Sequence, residues 1–176
     1  NMLLKPSTAF TIETWVRLSN IIDDQKIVGK FDPSGDGYLI GAASGTWRPE
    51  LRVGATNHTW MNGNIPLQAN IWYHVALTYQ QGQRGRFYVN GIQVDSTTNT
   101  ITGTMSQDGF PFVMGAAPWN AGVLKLQNGE IDEVRLWNYR RARNEIIATR
   151  DKPIKGNESG LVAVWHLDEG LGGVAY

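Results

Sequence analysis

The chain has 176 residues, enough for one well-packed domain and few for two. Its formal net charge is zero, which argues against a nucleic-acid-binding protein and against a polybasic membrane patch. The absence of cysteine excludes disulfides, cysteine-ligated zinc and a cysteine nucleophile, and no apolar run approaches the roughly 20 residues of a membrane-spanning helix.

Most of the chain predicts short β-strands separated by turns. In "FTIETWVRL" (10–18) apolar and polar residues alternate, which predicts a strand with one face in the core. Further strands are predicted, in chain order, at 26–31, 37–43, 50–56, 71–80, 85–96, 111–117, 129–138 and 160–170. Asn90 and Gly91 lie between apolar runs, the pattern of a tight β-hairpin. The segment 141–150 is the only good helix candidate, with Ile146 and Ile147 as apolar anchors.

This order of elements predicts the fold class. About eight to eleven strands, with turn signals roughly every 8 to 12 residues and no β-α-β alternation, indicate an all-β protein. We expect a two-sheet antiparallel jelly-roll sandwich with one short helix. The chain contains no internal repeat and no low-complexity linker, so a single domain is expected over 1–176.

Six motifs occur in the order in which one known family carries them. They are "FTIETWVRL", "IVGK", "WYHVALTY", "RFYVNGIQV", "GEIDEVRLWN" and "RNEI". On these motifs, over roughly 10–150, the chain resembles the laminin-G-like jelly rolls of the concanavalin A-like lectin/glucanase superfamily, particularly their bacterial and pentraxin-related branch. The resemblance implies two antiparallel sheets, one of them concave. The closing "ESGLVAVWHLDEG" resembles the opening strand of such domains, so we expect either a piece of a tandem array or a last strand in the first-strand position. Both imply a longer multidomain parent.

The carboxylates of "GEIDEVRL" (129–136) bear on catalysis. Catalytic members of the superfamily carry a Glu-x-Asp-x-Glu signature, whose three side chains share one face of a strand. In this chain Glu130 and Asp132 share a strand face with Val134, while Glu133 points to the opposite face. The acid/base position is then a valine, and we expect no glycosidase activity.

The resemblance also implies a metal site. In the glucanases of this superfamily a structural calcium often bridges an aspartate of the late strand and an acidic residue of the first strand, here Asp132 and Asp168. Oxygen ligands suit calcium, and backbone carbonyls can complete its shell. The alternative is that Asp132 caps a turn or pairs with Arg135 or Arg17. The segment 32–37 matches half of an EF-hand loop but lacks the glutamate at the twelfth position, so we expect a hairpin turn there.

Tryptophan suggests the ligand. Four of the seven tryptophans lie in strand motifs and are expected to pack, whereas the others lie in predicted loops among Asn, Thr and Gly. Sugar rings stack their C–H faces on aromatic rings, and neighbouring amides bind the hydroxyls. The candidate carbohydrate-binding residues are Trp47, Trp60, Trp119, Asn57, Asn62 and Asn120. The alternative is that these tryptophans cover the ends of the sandwich or meet a neighbouring domain.

The sequence therefore predicts a non-catalytic recognition module for carbohydrate or a surface partner protein, in an extracellular or cell-surface protein. One alternative is a structural or adhesive spacer whose tryptophans are buried against neighbouring domains of the parent chain. The other is a glucanase, which Val134 disfavours. Calcium, if bound, would support the fold or bridge a ligand as in pentraxins. We expect no nucleic-acid partner and no membrane insertion.

Overall fold

The computed structural model describes residues 4, 6–31, 35–54, 56–59, 66–106, 110–119, 122–125 and 128–168, with backbone alone at 56–59, 116–119 and 122–125. The strands are β1 (Ala9–Leu18), β2 (Gln25–Phe31), β3 (Gly37–Ala43), β4 (Thr46–Trp47), β5 (Glu50–Val53), β6 (Thr56–Thr59), β7 (Trp72–Gln80), β8 (Arg86–Val89), β9 (Ile92–Ser96), β10 (Val113–Met114), β11 (Ala116–Trp119), β12 (Gly122–Lys125), β13 (Gly129–Trp137) and β14 (Leu161–Trp165).

Two antiparallel sheets form the sandwich. The first sheet has the order β14-β13-β1-β7-β8-β9, and the second has the order β10-β2-β3-β5-β6 with β4 paired to β3. A separate two-stranded ribbon joins β11 and β12. The predicted all-β, two-sheet architecture is confirmed.

The core lies between the two sheets. Alternate residues of β1, among them Phe10, Ile12 and Val16, are fully buried there and meet Tyr38 and Ile40 of the second sheet. Phe10 packs on Tyr38 with the ring centroids 4.5 Å apart. The alternation of "FTIETWVRL" therefore places one face of β1 in the core, as predicted.

The helix α1 (Arg143–Arg150) covers part of the opposite face of the first sheet, which we call the outer face. Its buried Ile146 packs on Ala76 and Tyr88, residues that alternate with the core residues of β7 and β8. Ile147 is 39% exposed, so only one of the two predicted anchors is buried. The described part of the chain has no helix long and apolar enough to cross a membrane.

A β-bulge in β13 breaks the predicted alternation. Glu13 pairs with Arg135, but Trp15 pairs with Asp132, so β13 carries one extra residue against β1. The extra residue is Glu133, whose φ of 51° lies in the left-handed region. The prediction that Glu133 faces away from Asp132 is wrong, because the bulge turns both side chains to the outer face. For the same reason Val134 lies in the core and does not share a face with Asp132.

Candidate functional site

Trp47 is not a surface residue. It lies on β4, is fully buried, and packs edge-to-face on Tyr73 with centroids 5.6 Å apart. The prediction of an exposed loop tryptophan is wrong, because pairing of the two-residue strand β4 with β3 turns the ring into the core. A ring without accessible surface offers no face on which a sugar can stack.

The other predicted carbohydrate residues remain predictions. Trp60, Asn62 and Asn120 lie outside the described residues. Asn57 lies on β6 and Trp119 on β11, positions where the structure describes the backbone alone.

A different pair of tryptophans lines an open depression on the outer face. Trp72, at the start of β7, is 38% exposed, and Trp15 of β1 lies beside it. The depression has a volume of about 500 Å³; Asp132 and Glu133 line it on one side and the turn 150–153 on another. We call it the Trp72 depression.

Strand register explains how these side chains come together. Trp15 lies opposite Asp132 of β13, and two residues further along β1 Arg17 lies between Glu130 and Trp72. The Arg17 Nε donates to Glu130 Oε2 at 2.6 Å, and the guanidinium carbon lies 5.6 Å from the centre of the Trp72 ring. Because residues i and i+2 of a strand share a face, all of these side chains lie on the outer face.

Buried Arg135 fixes the wall of the depression. Its guanidinium is 1% exposed and donates to the carbonyls of Thr149 (2.9 Å) and Lys152 (2.8 Å) at the end of α1, and to Glu133 Oε2 (2.7 Å). The indole Nε1 of Trp15 donates to the Arg150 carbonyl at 3.0 Å. Thr149 and Arg150 lie in the last turn of α1 and Lys152 lies two residues beyond it, so these bonds tie the turn 150–153 to the sheet.

The two β13 carboxylates that line the depression, Asp132 and Glu133, differ in their hydrogen-bond and ion-pair partners. Glu133 is committed to internal partners, since Oε2 accepts from Arg135 and Oε1 lies 2.6 Å from Nδ1 of His166. This contact raises the pKa of His166. Among the described residues, the carboxylate of Asp132 accepts a hydrogen bond only from the backbone N–H of Glu133 (2.9 Å), and no cation forms an ion pair with it. Burial raises the pKa of Asp132, and the charges of Glu133 and Asp168 add to the rise.

The same pKa shift bears on the predicted calcium site. Because the charge of Asp168 acts on Asp132, the two predicted ligands are electrostatic neighbours. Within the described ranges, no group of three or more His, Cys, Asp or Glu side chains is placed to hold a metal ion. Calcium would therefore depend on backbone carbonyls and water for most of its shell, and the site stays a prediction.

Comparison with known proteins defines the family. A family model described as the concanavalin A-like lectin/glucanases superfamily, of laminin G type, matches residues 1–147. The chain belongs to this superfamily. Among curated proteins, none matches the sequence significantly.

Several solved structures share the superfamily fold. A protein proposed to bind carbohydrate, from Bacteroides ovatus ATCC 8483, has a TM-score of 0.74 at 23% identity over 96% of this chain. Domain 4 of AbnA, a GH43 extracellular arabinanase from Geobacillus stearothermophilus solved with arabinotriose, has a TM-score of 0.59 at 18% identity over 83% of this chain. The binding domain of botulinum neurotoxin serotype D has a TM-score of 0.61 at 12% identity over 84%. The chain spans 48% of the Bacteroides protein, 68% of the arabinanase domain and 37% of the toxin domain.

Trp15 and Trp72, which were expected from their strand motifs to pack, instead line this depression. One signal was available, because alternation in β7 puts Trp72 on the face opposite Tyr73 and Val75. Only one short helix was predicted, and it is too short to cover the whole of that face. A tryptophan at the end of such a strand is therefore expected to lie beyond the part of the face that the helix covers.

Proposed function

We propose that this chain is a non-catalytic carbohydrate-recognition module that binds sugar in the Trp72 depression. The observation that carries the proposal is the partly exposed side chain of Trp72 together with Asp132, a carboxylate that forms no ion pair with any described residue. The aromatic face would stack on the C–H face of a sugar, and the carboxylate would accept hydrogen bonds from its hydroxyls.

Rigidity supports the proposal. Arg135 and Trp15 already hold the wall of the depression, so binding would cost little ordering of the turn 150–153. Two solved structures of the same fold support the ligand class, since one is a protein proposed to bind carbohydrate and the other holds arabinotriose. Their low identity leaves the sugar itself open.

The absence of catalysis is part of the proposal. Glycoside hydrolysis needs one carboxyl that donates a proton and a second that acts as nucleophile or base. Both oxygens of Glu133 are engaged by Arg135 and His166, and Asp151 forms an ion pair with Arg150. Asp132 is then the one carboxylate among the described lining residues that has no ion-pair partner and can meet a ligand.

The proposal includes a cellular setting. A module that binds carbohydrate or a surface protein would act outside the cell or at its surface, beside neighbouring domains of a longer parent chain. The alternative of a structural spacer predicts that the outer face meets a sister domain and that the isolated chain binds no glycan.

A glycan array with the purified chain tests the proposal. We expect binding by the wild type and its loss in Trp72→Ala. Ile92→Ala, which truncates another exposed apolar side chain (54%) on β9, should bind as the wild type does. The array would be run with calcium and with EDTA to separate a bridging ion from a structural one.

Two outcomes would contradict the proposal. Binding that is lost in Trp60→Ala and kept in Trp72→Ala would move the site to the predicted loop tryptophans. Failure of the wild type to bind any glycan, in either condition, would favour the spacer.

A further inference from the structure

A second depression lies next to the first on the outer face. Its volume is about 360 Å³, and the described residues that line it are polar apart from one glycine: Arg17, Ser19, Asn70, Asn128 and Glu130. The two depressions adjoin at Arg17. This side chain lines the second depression, and its guanidinium lies over the ring of Trp72, which lines the first.

The strand register arranges both depressions as three consecutive rows across the sheet. The first row contains Asp132 and Trp15, and the second contains Glu130, Arg17 and Trp72. Rows two residues apart along a strand are separated by about 6.8 Å.

The third row lies just beyond the strand ends. There the Asn128 carbonyl accepts the backbone N–H of Ser19 at 2.9 Å, and the Leu18 carbonyl accepts that of Asn70 at 2.7 Å. The three rows therefore extend about 13 to 14 Å, which is longer than one six-membered sugar ring.

The third row offers groups suited to hydroxyls. The side-chain amides of Asn70 and Asn128 form no hydrogen bond with any described residue, and both side chains are exposed. Both residues have left-handed backbones, with φ of 63° and 55°, which orient them at the strand ends. Each amide carries two donors and one acceptor oxygen, matching the mixed donor and acceptor character of sugar hydroxyls.

We propose that the second depression is a second sugar subsite, so that the ligand is a linear oligosaccharide of at least two rings lying along β1 and β13. This inference rests on the proposed function. One ring stacks on Trp72, the ion pair of Arg17 and Glu130 contacts the linkage between the rings, and the next ring meets Asn70 and Asn128. A monosaccharide would occupy the first depression alone.

Isothermal titration with two oligosaccharide series tests the inference. The probes are arabinose, arabinobiose and arabinotriose, and glucose, cellobiose and cellotriose. In the series that binds, we expect the wild-type affinity to rise about tenfold or more from one ring to three.

Variants separate the two subsites. Asn128→Gly and Asn70→Gly keep the left-handed backbone and remove the amide, so trisaccharide affinity should fall about three- to tenfold while monosaccharide affinity is unchanged. Trp72→Ala should weaken every length. Gln93→Ala, an exposed polar truncation on β9, is the matched control and should change neither.

The outcomes distinguish this inference from the proposed function. Equal affinity for one and three rings, or asparagine variants that retain the full gain with length, would overturn the second subsite and leave the proposed function standing. No binding by the wild type, either to these probes or to any glycan on the array, would overturn both.

Discussion

Replacement of Arg135 by methionine should destabilise the domain through the wall of the Trp72 depression. Methionine fills similar volume but removes the donors to Glu133 and to the carbonyls of Thr149 and Lys152. Breaking a buried ion pair costs about 3 to 5 kcal/mol. Arg135 is 1% exposed and its partner Glu133 19%, so solvent compensates little of that loss.

The expected shift in melting temperature follows from domain size. A domain of this length loses roughly 2 to 4 °C per kcal/mol, so Arg135→Met should lower the midpoint by roughly 6 to 20 °C. Calorimetry and urea unfolding would measure it. Arg150→Met is the matched control, because its pair with Asp151 (27% and 57% exposed) is more accessible to solvent than that of Arg135 and should cost about 1 kcal/mol or less.

A double-mutant cycle identifies the cause. If the Glu133 pair dominates, Glu133→Gln combined with Arg135→Met should destabilise by clearly less than the sum of the single variants. Two results would show that the buried ion pair is not the cause: a loss of unfolding free energy in Arg135→Met no larger than that in Arg150→Met, or strict additivity of Glu133→Gln and Arg135→Met.

Further predictions concern stability, pH and calcium. Burial lowers the pKa of His74 to about 3, so below about pH 6.5 the unfolded chain binds a proton that the fold excludes. The free energy of unfolding should therefore fall on acidification from pH 6.5 towards 3, and less steeply in His74→Gln; equal slopes would contradict this. Gly91→Ala and Gly82→Ala both force an alanine to a φ of 78°, but only at Gly91 would the new Cβ lie 2.6 Å from Ile147. Gly91→Ala should thus cost about 1 to 3 kcal/mol more in urea unfolding, and equal losses would argue against that contact. If Asp132 binds calcium, CaCl₂ should raise the melting temperature of the wild type but not of Asp132→Asn. Identical wild-type melting curves in CaCl₂ and in EDTA would argue against the calcium site.

Strands with regular alternation could be predicted from the sequence. In β1 and β7, apolar residues recur at every second position because one face of each strand lies in the sandwich core. The motif order gave the family for the same reason, since the pattern spans most of the chain. The helix followed from its own local pattern, although only Ile146 is buried.

The errors have specific physical causes. The bulge at Glu133 reversed the facing of every later residue in β13, and its left-handed backbone carries neither glycine nor asparagine to mark it in the sequence. Trp47 was misassigned because a two-residue strand is too short to show periodicity. Trp72 was missed because its exposure depends on how far α1 reaches over the outer face, which is a tertiary property.

Glycan binding at Trp15 and Trp72 can be observed directly in solution. The most direct test is a ¹⁵N–¹H NMR titration with arabinotriose or the best array ligand, following the indole signals of the seven tryptophans. Binding in the Trp72 depression predicts saturable shifts of the indole signals of Trp15 and Trp72 and of the backbone amide of Arg17. The indole signal of buried Trp47 should not shift. Shifts confined to Trp60 and Trp119, with Trp15 and Trp72 unchanged, would contradict it.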